Sequence, residues 1–104
     1  MYKLKYAQSY REDLKSVVSY IRDSLQNPIA AQKIKDDVKS KFIKIKENPF
    51  IYPAVPNEFL ASKGYRLAIV NNFIIFYKVK ENQIEVIRFL YGHRDWVNIL
   101  GNEN

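Results

Sequence analysis

The chain has 104 residues, 47% hydrophobic and 27% charged, with 17 Lys and Arg against 11 Asp and Glu for a formal net charge of +6. That length supports one modest core, the apolar content excludes a disordered chain, and no run of eighteen apolar residues is present to form a spanning helix. With no Cys and one His there is no disulfide framework, no thiolate nucleophile and no thiolate zinc site, so neither a metal nor a cofactor is expected. The expectation is a single domain over residues 1–104, without a signal peptide or membrane segment and with a cytoplasmic location. The positive surplus suits nucleic acid, an acidic protein or an anionic surface as partner, and equally suits simple solubility.

Tyr2, Leu4 and Tyr6 alternate with Lys3 and Lys5, which predicts a half-buried strand with a basic outer face. Ser9 and Glu12 have the spacing of a capping box. Tyr10, Leu14, Val17, Val18, Ile21 and Leu25 then recur at three and four residues, so a helix burying one stripe is expected from about Ser9 to Leu25. Asn27-Pro28 supplies a cap and a first-turn proline for a second helix reaching about Glu47. Its Ala31, Ile34, Val38, Phe42 and Ile45 should face inward, and its Lys33, Lys35, Lys39, Lys41, Lys44 and Lys46 mostly outward as a solvated face. The short link makes the two helices an antiparallel hairpin, which Asn48-Pro49 terminates.

Pro49, Pro53 and Pro56 punctuate a connection to about Lys63 whose Phe50, Ile51, Tyr52 and Phe59 require packing against the body. Tyr65–Val70, Phe73–Val79 and Ile84–Tyr91 are rich in β-branched and aromatic residues and read as strands. The Asn71-Asn72 break suits a primed hairpin turn because Asn tolerates positive φ, and Lys80–Gln83 makes the second turn. The product is a three-stranded antiparallel meander that the N-terminal strand is free to join, followed by a short C-terminal helix. Helices grouped between strands imply an α+β fold, a helical hairpin packed on one face of a twisted sheet.

Phosphate-loop, dinucleotide, zinc-protease and serine-elbow motifs are all missing, and the glycines lie apart at Gly64, Gly92 and Gly101. What remains is a set of cations and aromatics presented by the sheet: Lys63, Tyr65, Arg66, Arg88, Tyr91, His93, Arg94 and Trp96. His93 can exchange a proton near neutrality. Facing an RNA 2′-hydroxyl or a leaving 5′-oxygen, it would need only Arg94 or Arg66 to stabilise charge on phosphorus, without a metal. The competing reading is an exposed turn histidine with no catalytic role. Asp95 reads as the cap of the last helix and Trp96 as part of a packed tail. Arg66 and Arg88 either face solvent or share a polar groove.

The order and spacing of DLKSVVSYI, NPIAAQKI, ENP, GYRL, IIFYKV and VIRFLYGHRDW make the chain resemble the RelE/ParE superfamily of bacterial type II toxins over nearly its whole length. The resemblance implies a compact α+β toxin, neutralised by a cognate antitoxin and associated with growth inhibition and plasmid stabilization. One branch consists of ribosome-dependent mRNA endonucleases with basic residues on neighbouring strands. The ParE-like branch poisons DNA gyrase and does not cut RNA. In the nuclease branch, the strand corresponding to Phe73–Val79 commonly carries an Arg near its start; here that region reads Phe73, Ile74, Ile75. Arg66, His93 and Arg94 match only part of a nuclease constellation, with Ala68 where a second basic residue would stand. The helical hairpin, the IIFY strand and the GHRD ending look more like the ParE branch. The expectation is therefore a toxin that binds a macromolecular target, gyrase, through its hairpin and basic sheet end. In that case Lys63, Tyr65, Arg66, Arg88, Tyr91, Arg94 and Trp96 serve target or antitoxin binding. The alternative is a metal-independent endonuclease acting on mRNA in the ribosome through Arg66, His93 and Arg94, and a third reading is a degenerate toxin retaining only antitoxin binding.

Overall fold

The computed structural model describes residues 2–103; Met1 and Asn104, the outermost positions of the expected span, lie outside the described residues. The elements follow as β1 (Lys3–Tyr6), α1 (Gln8–Ser19), a π-helical turn (Tyr20–Ser24), α2 (Pro28–Glu47), α3 (Glu58–Ser62), β2 (Tyr65–Val70), β3 (Phe73–Lys80), β4 (Gln83–Tyr91) and α4 (Trp96–Gly101). The strands form one sheet in the order β1-β4-β3-β2. β2, β3 and β4 make the antiparallel meander, and β1 joins it parallel to β4.

Local chemistry accounts for most of the boundaries. Asn27 caps α2 by accepting from the Ala30 N–H at 3.1 Å, and Pro28 occupies the first turn, where a missing N–H costs nothing. All five residues expected inward on α2, namely Ala31, Ile34, Val38, Phe42 and Ile45, are buried, each large one contributing roughly 1.5–3 kcal/mol of transfer free energy. Asn71 takes φ +55° in the β2–β3 turn, and Glu81 takes φ +57° in the next.

The N-terminus of α1 corrects the capping-box reading. The helix begins at Gln8 after Ala7, which makes no side-chain cap bond. Ser9 instead donates its hydroxyl to the Ile87 carbonyl at 2.8 Å. The reason is topological: β1 pairs with β4 only over Gln83–Val86, so the rest of that β4 edge has no strand beside it. α1 runs along this vacant edge. Asp13, one turn after Ser9, accepts from the Phe89 N–H at 3.0 Å, and the two side chains take the place of a missing strand. The far end of the first helix also differs, because the α-helix passes after Ser19 into the π-helical turn and leaves Leu25 exposed instead of buried.

The helical hairpin covers one sheet face, where Tyr10, Ile34, Val38, Phe42 and Ile45 meet Ala68, Val70, Ile75, Tyr77, Ile84, Val86 and Phe89. The other face is covered as well. There Val55, Leu60 and Leu100, from the connection, α3 and α4, pack on Tyr65, Phe76 and Leu90. Consequently Ile75, Phe76 and Tyr77 are all buried in succession on β3. A bulge makes this possible on β4: Phe76 opposes Arg88 while Tyr77 opposes Val86, so Ile87 is an extra residue. It lets Val86 and Phe89, three apart, face the same helices.

Within the connection, which its prolines mark only as a packed link, Asn57 caps the short α3 by accepting from Leu60 N–H. Pro53–Val55 then pairs with the outer edge of β2, through Leu67 N–H to Pro53 O and Val55 N–H to Tyr65 O, both at 3.1 Å. Tyr52 and Val55 pack inward, but Phe50, Ile51 and Phe59 remain exposed.

Candidate functional site

Two features stand out on the surface. One is a groove of about 510 Å³ between α1 and α2. Tyr6, Tyr10, Leu14, Val18, Val38 and Phe42 make its floor, and Arg11, Lys15, Lys35 and Lys39 its rim. The floor is held by an aromatic triangle of Tyr6, Tyr10 and Phe42, with ring centroids 5.4–5.8 Å apart. Burial pushes the Tyr10 hydroxyl above its ordinary pKa, so the floor stays uncharged, while the Arg11 guanidinium lies 5.4 Å from the Tyr6 ring centre. Among the described residues none of the four rim cations takes part in an ion pair. An apolar trough bordered by four unpaired cations suits an amphipathic segment with acidic flanks.

This groove was missed as a site at the sequence level, where the α2 lysines read as a solvated face. A signal was available. Arg11 and Lys15 on one helix, and Lys35 and Lys39 on the other, are each four residues apart and border an apolar stripe.

The second feature is the turn after β4. Gly92 donates its N–H to Asn72 O at 2.8 Å, and a Cβ at this position would come within 3.3 Å of that same oxygen. The close approach ties the two turns together and projects Tyr91, His93 and Arg94 outward, all three exposed. The His93 ring lies 5.2 Å from that of Tyr91, which in turn meets Phe73 edge-on at 5.8 Å. Asp95 caps α4, accepting from Asn98 N–H at 3.3 Å.

The structure disperses the other residues singled out from sequence. Arg66 is half-buried, donating to Tyr52 O at 2.7 Å and lying over the Phe50 ring at 4.9 Å. It pairs in register with Tyr77 and Val86, whereas Tyr91 pairs with Phe73 and Val70, four residues further along β2. That offset is about 13 Å along the strand, beyond the reach of one phosphate group. Arg66 is therefore not brought together with His93 and Arg94. Arg88 does not share a groove with Arg66. Its guanidinium is taken by Asp13, at 2.6 and 2.9 Å, and by Glu103 at 2.8 Å, hydrogen bonds that raise its pKa above the ordinary value. Tyr65 is buried with the Lys78 ammonium 4.4 Å from its ring centre, and Trp96 is half-buried against Phe76. Lys63 is exposed, resting 4.7 Å from the Phe59 ring centre.

These elements define a small α+β protein whose helical hairpin presents a basic-rimmed groove and whose sheet ends in an exposed cationic turn. Residues 4–96 match the family described as the ParE toxin of the type II toxin-antitoxin system parDE, and the chain belongs to that family, within the RelE/ParE superfamily of toxins. A search of curated proteins finds no match. Among solved structures, a chain of the chromosomal ParDE system from P. aeruginosa superposes with a TM-score of 0.71 at 20% identity, over 88% of this chain and 96% of that one. The E. coli DinJ-YafQ complex contains a similar chain, with a TM-score of 0.61 at 17% identity over 88% and 93%. A conserved hypothetical protein of Helicobacter pylori, HP0894, is similar at a TM-score of 0.51 and 17% identity, over 88% and 94%. At these identities the structural likeness establishes the fold.

Proposed function

We propose that this type II toxin arrests growth by binding a macromolecular target, DNA gyrase, and is neutralised by a cognate antitoxin received in the α1/α2 groove. The observation that carries the target reading is the separation of Arg66 from His93 and Arg94, about 13 Å along the sheet with the Arg66 guanidinium committed to Tyr52 and Phe50. In-line cleavage of RNA needs its acid, base and phosphate-binding groups around one phosphorus atom. Among the described residues Arg66 does not stand with His93 and Arg94, and β3 opens with Phe73, Ile74 and Ile75, all apolar. Inhibition by binding needs no such set. For the antitoxin, support comes from the groove's apolar floor and four unpaired rim cations, and from the toxin–antitoxin assignment of the family.

The second reading, a ribosome-dependent endonuclease, rests on His93 and Arg94 standing adjacent and exposed on one turn. One experiment separates them. The toxin is induced in growing cells, and its purified form is added to a gyrase supercoiling assay and to a translation reaction with transcript mapping. Growth arrest with loss of supercoiling and intact transcripts is expected. Transcripts cut in the ribosome, with cutting abolished by His93→Ala or Arg94→Ala in folded protein, would reject the gyrase reading.

A further inference from the structure

One end of the sheet gathers lysines on a single face. β1, β4 and β3 lie side by side, and their register sets Lys3 level with Gln83 and Lys80, and Lys5 level with Glu85 and Lys78. Alternation along each strand decides which way these side chains turn. Leu4, Tyr6, Tyr77, Val79, Ile84 and Val86 pack toward the helical hairpin. The six residues of the two rows therefore turn to the opposite side. There α3 and α4 cover only Tyr65, Phe76 and Leu90 and their neighbours, so this end stays open.

Lys3, Lys5 and Lys80 are exposed, and Lys78 is half-buried with its ammonium 4.4 Å from the Tyr65 ring centre. Among the described residues none of the four takes part in an ion pair. Glu85 is the only carboxylate in the two rows. Glu103, farther along the same face, is engaged by Arg88 at 2.8 Å, and Glu81 stands at the border in the β3–β4 turn.

The spacing narrows what such a surface can hold. The lysines form two columns, Lys3 and Lys5 on β1 and Lys78 and Lys80 on β3, with Gln83 and Glu85 of β4 between them. The columns lie two strand spacings apart, about 10 Å, and residues within a column are about 7 Å apart. A single polyanionic chain laid along β4 would run over the Glu85 carboxylate, which disfavours an acidic polypeptide or a single nucleic-acid strand. Two anionic chains, one over each column, meet cations alone. A B-form duplex supplies them as the backbones bordering its major groove, about 12 Å wide, with Glu85 beneath the groove and not beneath a phosphate. The deep, narrow major groove of A-form RNA suits this spacing less well.

We propose that this open end of the sheet, through Lys3, Lys5, Lys78 and Lys80, is a binding surface for duplex DNA that grips the phosphates on both sides of the major groove without reading sequence. It lies on the opposite side of the sheet from the α1/α2 groove and at the far end of β4 from His93 and Arg94. DNA bound here leaves both of those features open, and the surface stands independently of which target the protein inhibits.

The test is fluorescence anisotropy of a short labelled DNA duplex titrated with the purified full chain over a range of salt. Binding is expected with a dissociation constant of about 10⁻⁶–10⁻⁴ M near physiological salt, and four phosphate contacts give a slope of log affinity against log salt of about −3 to −4. Lys3→Gln with Lys5→Gln should weaken binding about tenfold and make the slope shallower by about 2. Lys44→Gln with Lys46→Gln removes the same charge from α2, across the sheet, and should change affinity less than about threefold. Should the β1 pair fail to fold, Lys80→Gln at the exposed end of β3 is read in the same way, with a loss of about threefold and a slope change of about 1. Absence of binding at low salt overturns the proposal, and so do equal losses in the two lysine pairs, which would report net charge without a site. An RNA duplex bound as tightly as DNA overturns the groove geometry. Polyglutamate that displaces the label as effectively as unlabelled duplex assigns the face to an acidic polypeptide and overturns it as well.

Discussion

Asp13 accepts hydrogen bonds from the Arg88 guanidinium at 2.6 Å and from the Phe89 main-chain N–H at 3.0 Å, so one carboxylate closes a sheet edge and anchors an ion pair. The Arg88 and Asp13 side chains are mostly buried, at 18% and 13% exposure respectively, which limits screening by water. Asp13→Ala leaves the Phe89 N–H without its partner and Arg88 with Glu103 alone. It should cost about 2–4 kcal/mol in urea unfolding. A loss below about 0.5 kcal/mol would show that water replaces the carboxylate at this edge.

The groove between α1 and α2 predicts an electrostatic signature. Replacing Lys35 and Lys39 by Glu reverses two of the four rim charges without touching the floor. Antitoxin binding should weaken by about tenfold or more, through slower association and faster dissociation, with unfolding stability within about 0.5 kcal/mol of wild type. The wild-type affinity should fall with added salt, and the variant's salt dependence should be shallower. Unchanged affinity in the double variant would remove this groove as the antitoxin site.

Tyr77 is buried and donates its hydroxyl to Pro49 O at 2.7 Å, and burial pushes its pKa up to about 12 from an ordinary 10.0. A folded-state pKa above the unfolded value means the contribution is complete below pH 10 and is lost as pH rises toward 12. Alkaline melts should therefore show stability falling across that window, and Tyr77→Phe should flatten the fall. At neutral pH the same substitution leaves the Pro49 carbonyl unpaired and should cost about 1–2 kcal/mol. Equal alkaline slopes for the two proteins would refute the assignment.

Gly64 follows α3 at φ +93°, where its N–H reaches back to Ala61 O at 3.0 Å before β2 begins. Open space surrounds the position a Cβ would take, so backbone strain alone sets the effect of substitution. Gly64→Ala should destabilise by about 1–2 kcal/mol in thermal or urea unfolding, whereas Gly64→Asn should cost less because Asn tolerates positive φ. Identical stabilities for Ala and Asn would contradict a strain origin.

Where a residue's fate was set by its near neighbours, the sequence was sufficient. The Asn27-Pro28 start of α2, its five buried positions, the Asn71 turn and the Asp95 cap all depend on contacts within four residues, and each was legible. The α+β class followed from the same periodicities read in order, whereas the family was carried by the resemblance of particular segments such as NPIAAQKI and VIRFLYGHRDW.

Tertiary structure decided what those local rules could not. Ser9 has the spacing of a cap, yet it bonds Ile87, 78 positions away, because β1 is too short to cover the β4 edge. Arg88 reads as facing solvent or sharing a polar groove with Arg66, but the bulge at Ile87 and the approach of α1 place its guanidinium against Asp13 and Glu103. Arg66 and Arg94 read as members of one site, and strand register sets them apart. The helix-flanking cations became a groove rim only when α1 and α2 were laid side by side. Periodicity within an element reports which face is apolar, whereas register, edge coverage and helix pairing depend on contacts between distant segments and decide which charged groups meet.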